Sequence, residues 1–181
     1  MGLMAADCQR TQAVVLKGDA SLTERNGTLY RGAEPFSGSV VAFYANGKPE
    51  SREDYVRGKQ QGLSLLYYPS GILQWKRTFA HGVKEGLHEG WWENGRKKFE
   101  YSFREGLYQG DVKEWYANGV PALSMHYDKG VETGPQRAWR ENGTLYANYE
   151  VRDGRQYGML SERLCYSVKD GRGVFVAAKS Q

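Results

Sequence analysis

GSVVAFYANGKPESREDYVRGKQQG, residues Gly38–Gly62, opens and closes on glycine, and its pattern recurs along the chain. Gly38, Gly62, Gly86, Gly110, Gly134 and Gly158 are spaced by 24 residues. Gly47, Gly71, Gly95, Gly119 and Gly143 follow nine residues into each unit. Gly58, Gly82, Gly106, Gly130 and Gly154 follow twenty residues in. Counting the first glycine of a unit as position 0, position 8 is asparagine in four of five units and Ser70 in the other. Self-similarity at such a period marks a repeat architecture. A shorter unit precedes the five, with Gly18, Asn26 and Gly27, and ends at Pro35-Phe36-Ser37-Gly38.

Aromatic residues keep the same register. Position 5 holds Phe43, Tyr67, Trp91, Trp115 and Trp139, and position 6 holds Tyr44, Tyr68, Trp92, Tyr116 and Arg140. Position 17 holds Tyr55, Phe79, Phe103, Tyr127 and Val151. From position 11 to 18, odd positions carry 14 non-proline apolar residues in 20 sites and even positions carry 4 in 20. That alternation is the signature of a half-buried strand. Positions 1 to 6 form a second strand, so each unit is a β-hairpin. The glycine at position 20 begins the return to the next unit.

The stretch Leu65-Leu66-Tyr67-Tyr68-Pro69-Ser70-Gly71 decides the loop length. A two-residue type I′ loop at Ser70-Gly71 would force positive φ on Ser70. A three-residue loop accepts Pro69 first, keeps Ser70 right-handed and places Gly71 in the left-handed region as a G1 bulge. Gly47, Gly71, Gly95, Gly119 and Gly143 are therefore the structural turn residues. Position 6 then pairs with 10, and 5 with 11. Uninterrupted alternation from there assigns Phe43, Tyr67, Trp91, Trp115 and Trp139 to the core face, with Tyr55, Phe79, Phe103 and Tyr127. It assigns Tyr44, Tyr68, Trp92, Tyr116 and Arg140 to the opposite, polar face, as an aromatic ladder and candidate partner-binding surface. A packing role between neighbouring strands is the alternative use of that ladder.

The predicted fold class is all-β: an elongated, open, solenoid-like meander of antiparallel β-hairpin repeats with terminal caps. Residues 1–17 form an N-terminal segment or cap, and 18–158 the repeat array. Residues 159–181 form a capping hairpin from Arg163–Val168 and Val174–Val176, with a tail. Atypical terminal units shield the edges of such arrays.

The units Gly38–Gly62 and Gly110–Gly134 (GDVKEWYANGVPALSMHYDKGVETG) resemble the MORN-repeat variant carried by bacterial proteins of the YwqK type, described as antitoxin components. The resemblance runs from Gly18 to about Gly158. It implies a hairpin array that binds a protein partner without catalysis, antitoxin-like or associated with the cell envelope. A polysaccharide- or membrane-surface-binding module is the alternative.

Little in the chain points to chemistry. His81, His88 and His126 fall at unrelated positions, and no sequence carries a nucleophile elbow, a metalloprotease helix or a phosphate loop in its required context. The reading is no enzyme, no cofactor and no metal. The net charge of +4, from 25 basic and 21 acidic residues, is too even for a dedicated nucleic-acid binder. No run of apolar residues is long enough to span a membrane as a helix. Cys8 and Cys165 stand near opposite ends of the chain. Small residues before Cys8 resemble the end of a lipoprotein signal, although Asp7 departs from that pattern. This favours a periplasmic or envelope location, with a cytoplasmic one as the alternative.

Overall fold

A computed structural model describes residues 13–159, together with the backbone of two short strands at 166–167 and 176–177. The strands in chain order are β1 (Ala13–Leu16), β2 (Leu22–Arg25), β3 (Thr28–Arg31), β4 (Glu34–Pro35), β5 (Gly38–Phe43), β6 (Pro49–Val56), β7 (Lys59–Tyr67), β8 (Leu73–Ala80), β9 (Val83–Lys84) and β10 (Gly86–Trp91). They continue with β11 (Lys97–Arg104), β12 (Leu107–Trp115), β13 (Pro121–Asp128), β14 (Val131–Glu132), β15 (Gly134–Trp139), β16 (Leu145–Arg152), β17 (Arg155–Met159), β18 (Tyr166–Ser167) and β19 (Val176–Ala177). One 14-stranded sheet runs β1-β5-β6-β7-β8-β10-β11-β12-β13-β15-β16-β17, with β9 paired to β8 and β14 to β13. The protein is thus all-β, and its main sheet is a long antiparallel meander that does not close. Only β1 runs parallel to its neighbour, β5.

Within each unit the first loop has three residues. Tyr44 N–H donates to Lys48 O at 2.9 Å and Gly47 N–H to Tyr44 O at 2.9 Å, and the same pair of bonds recurs at Tyr68, Trp92, Tyr116 and Arg140. Gly47, Gly71, Gly95, Gly119 and Gly143 have φ between 78° and 92°, the left-handed region that glycine enters without penalty. The second loop is a two-residue type I′ turn. Arg57, His81, Glu105, Lys129 and Asp153 stand at φ 49–52° ahead of the position-20 glycines. Arg57, His81, Glu105 and Lys129 are held from the preceding unit. Gln61 Oε1 accepts from His81 N–H at 2.9 Å, and Gln109 Oε1 accepts from Lys129 N–H at 3.0 Å. Gly82 N–H and Gly130 N–H donate to Gln60 O and Tyr108 O, each at 2.8 Å.

Position 5 pairs with 11, as in Phe43↔Pro49, but position 4 pairs with 13, as in Ala42↔Ser51. A β-bulge at position 12 therefore interrupts every hairpin, with the same shift at Leu66/Tyr67, Gly90/Trp91, Glu114/Trp115 and Ala138/Trp139. One extra residue inverts the parity between the two strands. The assignment of position 5 to the core is corrected accordingly. Phe43 is 53% exposed, and Lys97, whose Nζ lies 4.9 Å from the Trp91 ring centre, pairs with Glu89 at 2.6 Å on the polar face. Tyr67, Trp91, Trp115 and Trp139 are half-buried on that outer face. Positions 2, 4 and 6 share the aromatic face with 13, 15 and 17, so the ladder at position 6 also changes sides.

The corrected parity accounts for the burial. All five residues at position 2, Val40, Ser64, His88, Val112 and Gln136, are at most 7% exposed. Phe103 and Val151 at position 17 are both 6% exposed. All seven ion pairs among the described residues lie on the other face. At the N-terminal end, Val15, Phe36 and Val40 form a buried cluster, with Leu22, Leu29 and Tyr55 packed on it. Leu22 and Leu29 belong to the separate sheet β2-β3-β4, which so covers the start of the aromatic face. The C-terminal capping hairpin is described only where Tyr166 pairs with Ala177 and Ser167 with Val176. Its remaining residues, Cys8 and Cys165 lie outside the described residues.

Candidate binding face

Neighbouring units are joined along one edge by the position-6 side chains. Tyr44 Oη donates to Tyr67 O at 2.5 Å, Tyr68 Oη to Trp91 O at 3.1 Å, Trp92 Nε1 to Trp115 O at 2.9 Å, and Tyr116 Oη to Trp139 O at 2.9 Å. Each ring reaches the position-5 carbonyl of the next unit. Arg140 ends the series and is exposed. The polar tips of this row act as staples between hairpins.

A second row of staples lies one turn further along the same edge. Asn46, Asn94 and Asn118 donate their amides to Pro69 O, Ala117 O and Glu141 O at 3.1, 2.8 and 3.1 Å. Their carbonyl oxygens also accept the N–H of Lys48, Arg96 and Val120 at 2.9–3.0 Å. Ser70 occupies the equivalent place in its unit and its side chain is too short for both bonds. Ser70→Asn restores the pair, with Glu93 O as the new acceptor. Since each net hydrogen bond contributes about 0.5–1.5 kcal/mol, the substitution should raise the unfolding free energy by about 1 kcal/mol. A higher urea midpoint at unchanged slope is the expected readout.

The aromatic face carries a chain of ring contacts across the units. Phe79 and Phe103 flank His88 at 5.7 and 4.5 Å. Phe103 meets Tyr108 at 4.6 Å, and Tyr108 meets Tyr127 at 5.2 Å and Tyr101 at 5.8 Å. Phe99 stacks on Tyr101 at 4.6 Å. Gly90 lies beneath Phe99, where a Cβ would fall 2.1 Å from the ring. Arg77 and Lys84 lie over the rings of Trp75 and Phe103 at 4.2 and 5.0 Å.

Three carboxylates are set among these rings. Glu53 accepts from Tyr55 Oη at 2.7 Å and Gln60 Nε2 at 3.1 Å. Glu114 accepts from Tyr101 Oη at 2.5 Å. Glu132 accepts from Tyr127 at 3.5 Å and Tyr149 at 3.3 Å. Burial, followed by the charge of Glu132, pushes the Tyr127 and Tyr149 hydroxyls up to about 12. Burial and their carboxylate partners also raise Tyr55 and Tyr101. All four phenols therefore remain neutral donors at physiological pH.

The three histidines are separated. His81 sits in a type I′ turn, and His126 Nδ1 lies 2.8 Å from Asp111 on the polar face. His88 is 2% exposed, and its Nε2 lies 2.8 Å from Thr78 O, so that nitrogen carries the proton. Burial first, and then the nearby Arg77 and Lys84, hold its pKa below the ordinary histidine value of about 6.5. The unfolded chain therefore binds a proton that the folded chain refuses. Stability is full above about pH 6.5 and declines as pH falls toward the lowered folded value. Valine fills the same position at Val40 and Val112. His88→Val should flatten the fall in urea-unfolding free energy between pH 7 and pH 5 relative to the natural chain.

A family model described as a MORN repeat variant matches residues 108–129. That stretch covers the β12–β13 hairpin, from Tyr108 through the Asn118-Gly119 turn to Lys129. No curated protein matches the chain. MORN repeats are generally non-catalytic modules that mediate binding.

Proposed function

We propose that this chain is a non-catalytic repeat scaffold that binds a protein partner along its aromatic face. The observation that carries the reading is the face itself. Past the β2-β3-β4 sheet, its rings other than Phe103 and His88 are half-buried, and no second layer lies over them among the described residues. A contiguous aromatic surface of this kind marks an interaction site, and tyrosine, tryptophan and arginine dominate interface hot spots. The ladder Tyr44, Tyr68, Trp92, Tyr116 and Arg140 forms one margin of this surface, with its hydroxyl and indole donors engaged by the next unit. An antitoxin-like or envelope-associated role would employ the face in the same way.

A polysaccharide or membrane surface is less well suited. Phe99 and Tyr101 stack at 17° and Phe103 and Tyr108 at 29°, so these rings cover one another's faces. A sugar platform needs free ring faces. The lipid reading lacks a concentrated basic patch, because the polar face pairs its lysines with carboxylates. The test is photo-crosslinking in the native source with benzoylphenylalanine at position 108 or 43. Protein adducts from Tyr108 and none from Phe43 support the scaffold. Adducts from Phe43 alone, or none from either, would discard it.

A further inference from the structure

Glu114 and Glu132 belong to the same unit, and their only side-chain partners among the described residues are tyrosine hydroxyls. None of the seven ion pairs includes either one. Both are half-buried, Glu114 against Tyr101 and Glu132 against Tyr127 and Tyr149. On the polar face the opposite holds: Glu89 has Lys97 at 2.6 Å and Lys76 at 3.6 Å, and Asp111 has Lys113 at 2.9 Å. Arg77 and Lys84 sit on the aromatic face a unit or more earlier, over Trp75 and Phe103, and Lys98 lies over Trp92 at its margin. The face is thus cationic around the unit that starts at Gly62 and anionic around the one that starts at Gly110.

A carboxylate held by phenol donors and walled by aromatic rings has one complementary guest, an organic cation. The carboxylate supplies charge, and partial burial strengthens its pull on a cation. Fixed hydroxyls also orient the carboxylate before any guest arrives, which lowers the cost of binding. We infer that the aromatic face between Tyr101 and Tyr149 recognises arginine or lysine side chains on an extended segment of the partner, seated against Glu114 and Glu132. This deepens the scaffold reading and rests on it.

The probe is a fluorescein-labelled nine-residue peptide, Gly-Arg-Ser three times over, with its citrulline counterpart as the uncharged control. Anisotropy at moderate salt should show binding of the arginine peptide, and at least tenfold weaker binding of the citrulline peptide. Glu114→Gln with Glu132→Gln keeps an acceptor for each tyrosine and should weaken the arginine peptide at least tenfold, with an unchanged circular dichroism spectrum. Glu132→Gln alone should give an intermediate loss. Glu89→Gln, on the polar face, should leave binding as it was. No binding by the arginine peptide, equal binding by the double variant, or an equal loss in Glu89→Gln would each overturn the inference. The crosslinking outcome is independent of these. A partner captured at position 108 through an acidic or apolar segment would keep the scaffold and remove its preference for basic side chains.

Discussion

Phe103→Ala should lower the unfolding free energy by about 3–5 kcal/mol, the usual cost of deleting a buried aromatic ring. The main sheet is a single layer, so its aromatic face must supply the apolar burial that a second layer supplies elsewhere. Phe103 is buried there, at 6% exposed. It touches His88 from its own hairpin and Tyr108 from the strand that leads into the next. Removing it breaks the chain of contacts in the middle of the array. Stability in such arrays is the sum of units and their interfaces, so a weak central interface can separate the two halves. Urea unfolding followed by circular dichroism should show a lower midpoint, and a shallower or divided transition. Phe43→Ala, at an exposed position-5 site, should cost less than about 1 kcal/mol.

Gly38→Ala should be comparably damaging, for a different reason. A Cβ at Gly38 would lie 2.1 Å from Ala13 O and 2.8 Å from Phe36 Cζ, with φ at 153°. The obstructing oxygen is backbone, so the parallel strand β1 has to move away. Overpacking, together with an unfavourable φ, should cost about 3–4 kcal/mol. Gly86 and Gly110 occupy the same place in their units, where a Cβ meets nothing within 4 Å. Alanine there should cost only the left-handed conformation, about 1–2 kcal/mol. Hydrogen exchange separates the cases. Lys17 N–H donates to Val41 O at 2.7 Å, and its protection should vanish in Gly38→Ala and persist in the other two.

The repeat period, the hairpins and the three-residue loop were legible because each rests on a residue with a narrow backbone preference. Pro69 and Gly71 allow one turn geometry, and the chain follows it. The apolar odd positions of the second strand were legible for the same kind of reason, since alternation reports burial directly. The bulge at position 12 was not. Its residues are Glu50, Gln74, Lys98, Ala122 and Tyr146, which share no conformational preference. A bulge of this kind needs no glycine, so it left no mark, and the parity of the first strand was inverted. The pattern of sizes held a clue. Gly90 at position 4 has ordinary negative φ and leaves room for Phe99 opposite. The type I′ turns were also hidden, because Arg57, Glu105 and Lys129 are not residues that announce positive φ. Their support comes from the preceding unit, beyond the reach of local reading. The same inversion moved the candidate site. The ladder at position 6 was visible as a column, but its hydrogen bonds to the next hairpin depend on register, and the carboxylates at Glu114 and Glu132 join one face only after the bulge is known.

Gly90→Ala tests that parity most directly, by equilibrium urea unfolding. Gly90 is in a strand with no left-handed φ, so alanine would ordinarily stabilise by about 0.5–1 kcal/mol through the unfolded chain. With the bulge in place, its Cβ collides with the Phe99 ring, which is itself stacked on Tyr101. The expected result is a loss of about 1–3 kcal/mol. A gain, or no change, would place Gly90 and Phe99 on different faces and contradict the bulged hairpin on which the binding face depends.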